Sequence, residues 1–448
     1  MLISQILAGL IVAAGAPEAT ALNKIDLPFR RTFTRSTGEV NGPALLRSLQ
    51  QTLDKYHSKV TIPGASSNAS LSRRLVTESL MDEVEEPDFD VEYYGPIEVG
   101  SGTTQQSFTV QFDTGSADLF IPGPQCTTDD GCDSSKKYDE GGKSQGRTTS
   151  VEYGTGYAEG NDYTDTVTIA GLTATNQGLI SLTQVAGFDT SVADGLLGMG
   201  FTSLAASGFT TFFENLIMQD KVAVPEFSFY LGRAASGTST QSTLCLGCRD
   251  PSRYKGSFTQ VPVTQEFYWQ VALDSVNVDG MSAGGYTSGQ AIVDTGTTLV
   301  LAPTAAAAAI FMLVPESFPI SLDGSSDQTF YAYPCSMPAS FIPTLQFSGR
   351  AFSINPADFN FGTLTSDFAR LLGDEALAVR LDTKGQGAYA ADSSYVAVQM
   401  CVAAIVGTDV SPQGDLFVVG DPFLKNWYTT FSYAGAGGQP SVSFAQAV

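Results

Sequence analysis

Residues 291–300 read AIVDTGTTLV: an apolar run, one acid, a glycine among three threonines, then apolar residues again. A charge buried in such surroundings is costly unless it is paired or protonated, so Asp294 needs a partner. The sequence supplies one. Residues 110–119 read VQFDTGSADL and place Asp113 in the same Asp-Thr-Gly setting. Each half of the chain also carries a later apolar-apolar-Gly element, Leu196-Leu197-Gly198 in ADGLLGMG and Val418-Val419-Gly420 in LFVVGDPF. Repeated punctuation of this kind predicts two similar lobes.

Within one lobe, strand alternation points Gln111 to the same side as Asp113 while Phe112 packs behind. Thr114 and Gly115 are expected to make a turn whose glycine N–H approaches the carboxylate, with Ser116 as a further hydroxyl donor. Thr295, Gly296 and Thr297 repeat that set around Asp294. Brought face to face about a pseudo-twofold axis, the two carboxylates cannot both ionise in contact, so one proton is shared. One member is then a base and the other an acid for a water attacking a carbonyl. The pair titrates as a unit, and the sequence assigns the proton to neither.

At 448 residues and 43% hydrophobic composition, the chain can bury two packed units. Its single histidine, His57, lies near the N-terminus. Without histidine from residue 75 onward, the body cannot hold a Ser-His-Asp triad, a Cys-His pair or the usual His-bearing zinc site. No metal and no cofactor are expected. Short β-branched or aromatic runs broken by Gly, Asn, Asp and Ser, such as SFTVQFDTG, EFSFYLG and YWQVALDSVNVDG, predict an all-β body. Helical pieces are expected at 210–220 and 304–313.

The N-terminal region differs from the body. Residues 2–16 form an apolar stretch followed by the small residues Ala19-Thr20-Ala21, the pattern of a secretory signal peptide over residues 1–21. Residues 22–74 read as a basic pro-segment containing a helix-like ALLRSLQQTLDKY and ending at Arg73-Arg74, a dibasic processing site in an exposed loop. Asn68-Ala69-Ser70 fits a glycosylation acceptor inside that segment. Nine basic residues against four acidic ones precede residue 75, leaving 14 basic and 42 acidic residues beyond it. Such a body is a poor partner for nucleic acid or anionic membranes, and its crowding predicts carboxylates pushed up in pKa. No later apolar run is long enough for a membrane span.

Six cysteines in a secretory context suggest disulfides. Cys126 and Cys132 flank a polar loop, CTTDDGC, and are expected to close it; Cys335 and Cys401 are candidates for a longer closure. Cys245 and Cys248 in TLCLGCRD stay open: on a strand they would sit about 10 Å apart, too far to bond. They pair only if Gly247 makes a turn, and otherwise remain thiols.

Over nearly all its length after the signal, the chain resembles the pepsin-like aspartic endopeptidases. Besides both Asp-Thr-Gly motifs, VEYGTGYAEG at 151–160 is similar to the family's flap hairpin, with Tyr153 matching its tyrosine. GFDTSVADGLLGMG, FTQVPVTQEFYWQV and LFVVGDPFLKNWYTTF also follow in family order. The resemblance implies a bilobal double β-barrel, N-terminal lobe 75–265 and C-terminal lobe 266–448, with Asp113 and Asp294 catalytic in the cleft between. It implies that Thr114 and Thr295 hydrogen-bond across the lobes, and that Thr298 and the backbone of Gly154 and Thr155 hold the peptide main chain. It further implies a monomeric zymogen, secreted or sent to an acidic vacuole, that cleaves polypeptides at acidic pH. Its own pro-segment would cover the cleft, with Lys55 and Tyr56 reaching the pair. Two positions depart from the pattern. Phe120 stands where the family usually has tryptophan and offers the flap tyrosine no N–H donor. Gln111 stands where an aliphatic residue is common, beside the pocket for the residue preceding the cut.

Two other classes compete. A glycosidase also uses two carboxylates, but it has no need of twin Asp-Thr-Gly turns. A catalytically silent peptide-binding or inhibitor protein on the same fold would be expected to lack an aspartate or glycine of the motifs; both sets are intact here.

Overall fold

Burial alternates along the strands that carry the first Asp-Thr-Gly turn, as it must when one face of a pleated strand meets a core. This computed structural model describes residues 23–27, 35, 37–57, 93–132, 134, 136–153, 156–186, 193–232, 242–284, 289–324, 327–384, 388–389, 398–411 and 416–448. The expected signal peptide, Asn68, Arg73-Arg74, Gly154 and Thr155 lie outside these residues. In chain order come β1 (Lys24–Leu27), α1 (Gly42–His57), β2 (Tyr94–Val99), β3 (Gln106–Asp113), β4 (Leu119–Pro122), β5 (Lys143–Tyr153), β6 (Gly156–Ile169), β7 (Leu172–Ala186), β8 (Gly195–Gly198), β9 (Glu226–Tyr230) and β10 (Ser242–Leu246). In β3, Phe108, Val110 and Phe112 are buried while Thr109 and Gln111 are half-buried. Strands β2 to β8 bond in the order β2-β3-β8-β4-β7-β6-β5, and β2 also pairs with β6, which closes a barrel.

The second lobe repeats the central device. Strand β3 runs parallel to β8 with Asp113 opposite Gly198, and β8 runs antiparallel to β4. Likewise Gly289–Val293 runs parallel to Leu416–Val419, which runs antiparallel to Val300–Ala302. The apolar-apolar-Gly strand is therefore wedged between the strand entering each Asp-Thr-Gly turn and the strand leaving it. Its glycine is required by contact. A Cβ on Gly198 would stand 2.3 Å from the Ala117 nitrogen, and one on Gly420 would stand 2.0 Å from the Thr297 oxygen. The protein is an all-β, bilobal molecule with few helices.

A third layer joins the lobes. It runs β1, β10, β9, Trp427–Ser432, Ser441–Ala447 and Tyr254–Glu266, so strands from both halves of the body and one from the N-terminal region share a sheet. Trp269 Nε1 donates to the Met199 carbonyl at 2.9 Å, a further tie between the halves. All six cysteines are bonded: Cys126–Cys132, Cys335–Cys401 and Cys245–Cys248. The last pair closes because Gly247 adopts φ +70°. That turn brings the two Cα atoms to 5.4 Å.

Helix α1 lies across the groove between the lobes. It buries Leu45, Ser48, Leu49, Thr52, Leu53 and Tyr56, a stripe at helical spacing. Burying each large apolar side chain of that stripe contributes about 1.5–3 kcal/mol before ordering costs. Among the described residues no helix is long and apolar enough to cross a membrane.

Gly420→Ala should destabilise the protein by roughly 1–3 kcal/mol, because backbone must move to admit the methyl group. Gly284 has open space around its Cα and serves as control. Gly284→Ala should shift stability by less than about 0.5 kcal/mol. Denaturant midpoints of the two variants compare them directly.

Candidate active site

Asp113 and Asp294 end equivalent strands and meet at the lobe interface, 2% and 0% exposed. Their carboxyls lie close enough to shift each other's titration, and one ammonium, Lys55 Nζ, bonds to both. Each is gripped by its own turn: Gly115 N–H donates to Asp113 Oδ1 at 2.9 Å and Gly296 N–H donates to Asp294 Oδ1 at 3.0 Å. Each also lies against the glycine of the other turn. A Cβ on Gly296 would stand 2.2 Å from Asp113 Oδ1, and one on Gly115 would stand 2.6 Å from Asp294 Oδ1. Glycine in both motifs thus allows two carboxylates to share one small space.

The threonines lock the lobes. Thr114 N–H donates to Thr295 Oγ1 at 3.1 Å, and Thr295 N–H donates to Thr114 Oγ1 at 3.0 Å. Their hydroxyls donate onward to the opposite strands, Thr114 to the Val293 carbonyl at 3.0 Å and Thr295 to the Phe112 carbonyl at 2.8 Å. Three buried polar groups of each lobe, an N–H, a hydroxyl and a carbonyl, find partners across the interface in these four bonds.

The two motifs then diverge. Thr297 Oγ1 donates to Asp294 Oδ2. Ser116, expected as the matching donor, has no hydrogen-bond partner for its hydroxyl among the described residues. Asp113 Oδ1 is met instead by Gly115 N–H and, at 2.5 Å, by Lys55 Nζ. Lys55 also donates to Asp294 Oδ2 at 2.8 Å, as does the Tyr56 hydroxyl at 2.8 Å. Of the two N-terminal residues singled out in the sequence, Lys55 thus reaches both carboxylates and Tyr56 reaches Asp294.

Titration follows from this geometry. Burial pushes Asp113 above the usual carboxylate range, with its acidic neighbour adding to the effect against the pull of Lys55. Burial also works to raise Asp294, but Lys55 and the hydrogen bonds from Asp113, Lys55 and Thr297 together hold it down to about 2. Burial lowers Lys55, and the two facing carboxylates outweigh it and raise the ammonium. The site holds one carboxyl inclined to keep a proton beside one inclined to lose it, which suits paired acid and base work.

A scan against family models matches residues 92–369 to "Eukaryotic aspartyl protease". The chain belongs to the eukaryotic aspartyl protease family. An aspartic protease of Phaffia rhodozyma is 36% identical over 362 residues, covering 79% of this chain and 76% of that protein. Cathepsin E of Mus musculus is 32% identical over 382 residues, with 82% and 84% covered, and pepsin A of Sus scrofa is 34% identical over 360 residues, with 79% and 82% covered. As a member of this family the protein is an aspartic-type endopeptidase, a hydrolase acting on polypeptides.

Other anticipated residues of this protease fall around the pair. Gln111 is half-buried on the Asp113 face of β3. Phe120 is buried in a small cluster with Cys126, Cys132, Val151, Ala158 and Leu196, beneath the hairpin of β5 and β6. Tyr153 closes the β5 ladder opposite Gly156 in backbone terms, and its side chain lies outside the described residues. Thr298 Oγ1 is engaged by Ser48 of α1.

Sequence reading missed three participants. The Tyr268 ring sits 5.4 Å from that of Tyr56, and burial, then the two aspartates, raise its hydroxyl. Asp118 accepts from Ala206 N at 2.8 Å, Ser207 N at 3.1 Å and Ser207 Oγ at 2.5 Å, tying the turn after the first motif to the 205–208 loop. Lys24 of β1 meets the buried Asp250 at 2.7 Å. Asp118, five residues past Asp113 in TGSAD, carried a visible signal, whereas the other two depend on long-range pairing.

Thr295→Val removes the hydroxyl while keeping the shape, leaving the Thr114 N–H and the Phe112 carbonyl buried without partners. The expected loss is about 1–3 kcal/mol. Combined with Thr114→Val the losses should be strongly non-additive, because both changes break one reciprocal set. Thermal unfolding of the single and double variants checks this.

Proposed function

We propose that Asp113 and Asp294 are the catalytic dyad of this endopeptidase and that the chain is made as an acid-activated zymogen. The observation carrying this reading is the pair of buried carboxyls, each held by its own turn, with Lys55 of the leader bonded to both. In the mature enzyme a water takes the place of the Lys55 ammonium between the two. The ionised carboxylate accepts a proton as the water oxygen attacks the peptide carbonyl carbon, while the protonated carboxyl gives its proton to the carbonyl oxygen. The tetrahedral adduct collapses when a proton passes to the amide nitrogen and the C–N bond breaks. Tyr153, Gly154 and Thr155 close over the substrate and, with Thr298, hold its main chain. Gln111 and Phe120 shape the pocket beside the bond.

Residues 1–21 act as the signal peptide and 22–74 as the removable leader of lobes 75–265 and 266–448. The product is directed into the secretory pathway, to the exterior or an acidic compartment. Charge supports acid activation. Asp294 and Asp250 are both held down to about 2, Asp250 by Lys24 and Ser252 against its burial. For a carboxylate with a depressed folded pKa, stabilisation is complete above the unfolded value and is lost as pH falls through the folded one. The leader's hold therefore weakens from about pH 4 down to about 2. Asp113 runs the other way, since its raised pKa means that the proton needed for acid catalysis is lost only as pH rises through that value.

Asp113→Asn and Asp294→Asn should each lower hydrolysis of a denatured protein by about 10²–10⁴-fold. A transition-state-mimicking peptide should stop the wild type and a chelator should not. Full activity in either Asn variant would sink the dyad reading. Lys24→Ala leaves Asp250 without its cation, so the pH midpoint of leader release should move upward by roughly half a unit to one unit. Mass spectrometry of the full-length chain incubated across pH 2–6 reads that midpoint.

A further inference from the structure

The contact at the far end of the leader helix is as carefully formed as the one at the dyad. Just before α1, residues Gly38–Val40 run parallel to Thr363 as a short bridge, Glu39 opposite Thr363. Val40 N–H donates to the Thr363 carbonyl at 2.9 Å, and Thr363 N–H donates to the Gly38 carbonyl at 2.8 Å. The receiving strand, Asn360–Thr363, is the last in its sheet. Gly362 adopts φ +113°, and a Cβ there would stand 2.7 Å from the Glu39 carbonyl carbon and the Val40 nitrogen. A bare backbone at this position lets another chain lie alongside.

The neighbouring helix Ser366–Leu371, followed by Glu375–Lys384, completes the site. A Cβ on Gly42 would stand 2.6 Å from Phe368 Cδ2 and 3.0 Å from Leu371 Cδ2, so the leader fits a notch between these side chains. Val40 is 2% exposed here. Recognition thus consists of main-chain hydrogen bonds, one aliphatic side chain and one small residue two positions on. None of it is particular to the leader.

We propose that this edge is an exosite for an extended segment of the polypeptide substrate, which takes the place of residues Gly38–Val40 once the leader is gone. Removal of the leader frees the N–H and C=O of Thr363 at a sheet edge, the arrangement to which an extended peptide adds as a strand. The inference rests on the proteolytic reading above, in which the dyad cuts the same substrate. From Gly42 to Lys55, α1 rises about 20 Å at 1.5 Å per residue. An extended substrate covers that span with about six residues. The exosite therefore reads an aliphatic residue about six positions from the cut, well beyond side chains that touch the dyad.

The test uses full-length protein activated at acid pH and freed of its leader. A short peptide spans about four residues on each side of one cleavable bond. Longer peptides add about eight residues at one end or the other, with valine at the distance set by α1. One long peptide should exceed the short one in kcat/KM by about tenfold, the worth of one or two backbone hydrogen bonds and a buried side chain. Leu371→Asp should reduce that advantage to about twofold. A synthetic peptide of leader residues 35–46, used with the wild type, should compete with the long substrate at concentrations that leave the short one untouched. Equal kcat/KM for long and short peptides would overturn the exosite, as would an advantage insensitive to both Leu371→Asp and the leader peptide. Leader residues found still bound to the active enzyme would also overturn it. If neither substrate is cut, the dyad reading fails instead, and the exosite with it.

Discussion

Two buried carboxyls in contact are the constraint around which the rest of this molecule is arranged. Neither could be desolvated alone without neutralising, and together they are tolerable only if one proton is shared and the remaining lone pairs find donors. The Asp-Thr-Gly turn meets both needs in three residues. Its glycine N–H bonds the carboxylate of its own turn and its missing side chain leaves room for the other carboxylate. Its threonine reaches into the opposite lobe. Because those bonds are reciprocal, the lobes cannot slide or separate without exposing buried polar groups on both sides. The apolar-apolar-Gly strands follow from the same constraint, since the segment leaving each turn must cross a neighbouring strand at a distance only glycine permits.

The leader solves a problem posed by the site itself. An empty dyad would face the groove with charge and polar atoms unmatched, and the helix fills it with an ammonium, a phenol and an aliphatic stripe. Among the described residues, the contacts that hold this segment include β1 at the edge of the shared sheet with Lys24 on Asp250, residues Gly38–Val40 on Thr363, and Lys55 with Tyr56 on the dyad. The first and last are charged side-chain contacts, and the middle one is made by main-chain bonds. On the zymogen reading proposed above, acid loosens the two ends first. A sequence-tolerant middle contact is what a strand of substrate can also make.

Much of this was legible because the informative residues are punctuation. Twin Asp-Thr-Gly turns, the apolar-apolar-Gly elements and the Lys55-Tyr56 pair at the end of an amphipathic stretch each mark a local geometry that glycine, threonine or helix periodicity imposes. Register between distant strands has no such mark. Nothing near β1 announces that it pairs with β10, and so the Lys24–Asp250 contact and the sheet shared by both halves were not visible. The Cys245–Cys248 pair hung on a single backbone angle at Gly247, which composition leaves open. Charge crowding was a poorer guide than local hydrogen bonding. Burial does raise Asp162, as the crowded acidic body suggested for many carboxylates. Asp194, however, accepts from Thr109, Ser134 and Lys136, and these donors outweigh its burial and hold it down. Direct hydrogen-bond donors decide such cases, because the repulsion between surface acids is screened by water and salt.

The duplication is symmetric in backbone and asymmetric in chemistry, and one residue of the body contributes to the asymmetry beside Lys55 and Tyr56. Position three after the aspartate is serine in the first turn and threonine in the second. The branched threonine is restricted in its rotamers, and its hydroxyl bonds Asp294. The serine is freer to turn, and its hydroxyl stands apart from Asp113 while Lys55 occupies the carboxylate. Asp294 accordingly collects more donors and gives up its proton more readily, whereas Asp113 keeps one. Departure of the leader withdraws the ammonium from both carboxyls and the phenol from Asp294 alone, but the bonds from Gly296 and Thr297 stay. The bias toward an ionised Asp294 in this structure thus rests first on Lys55, with the bond from Thr297 adding to it.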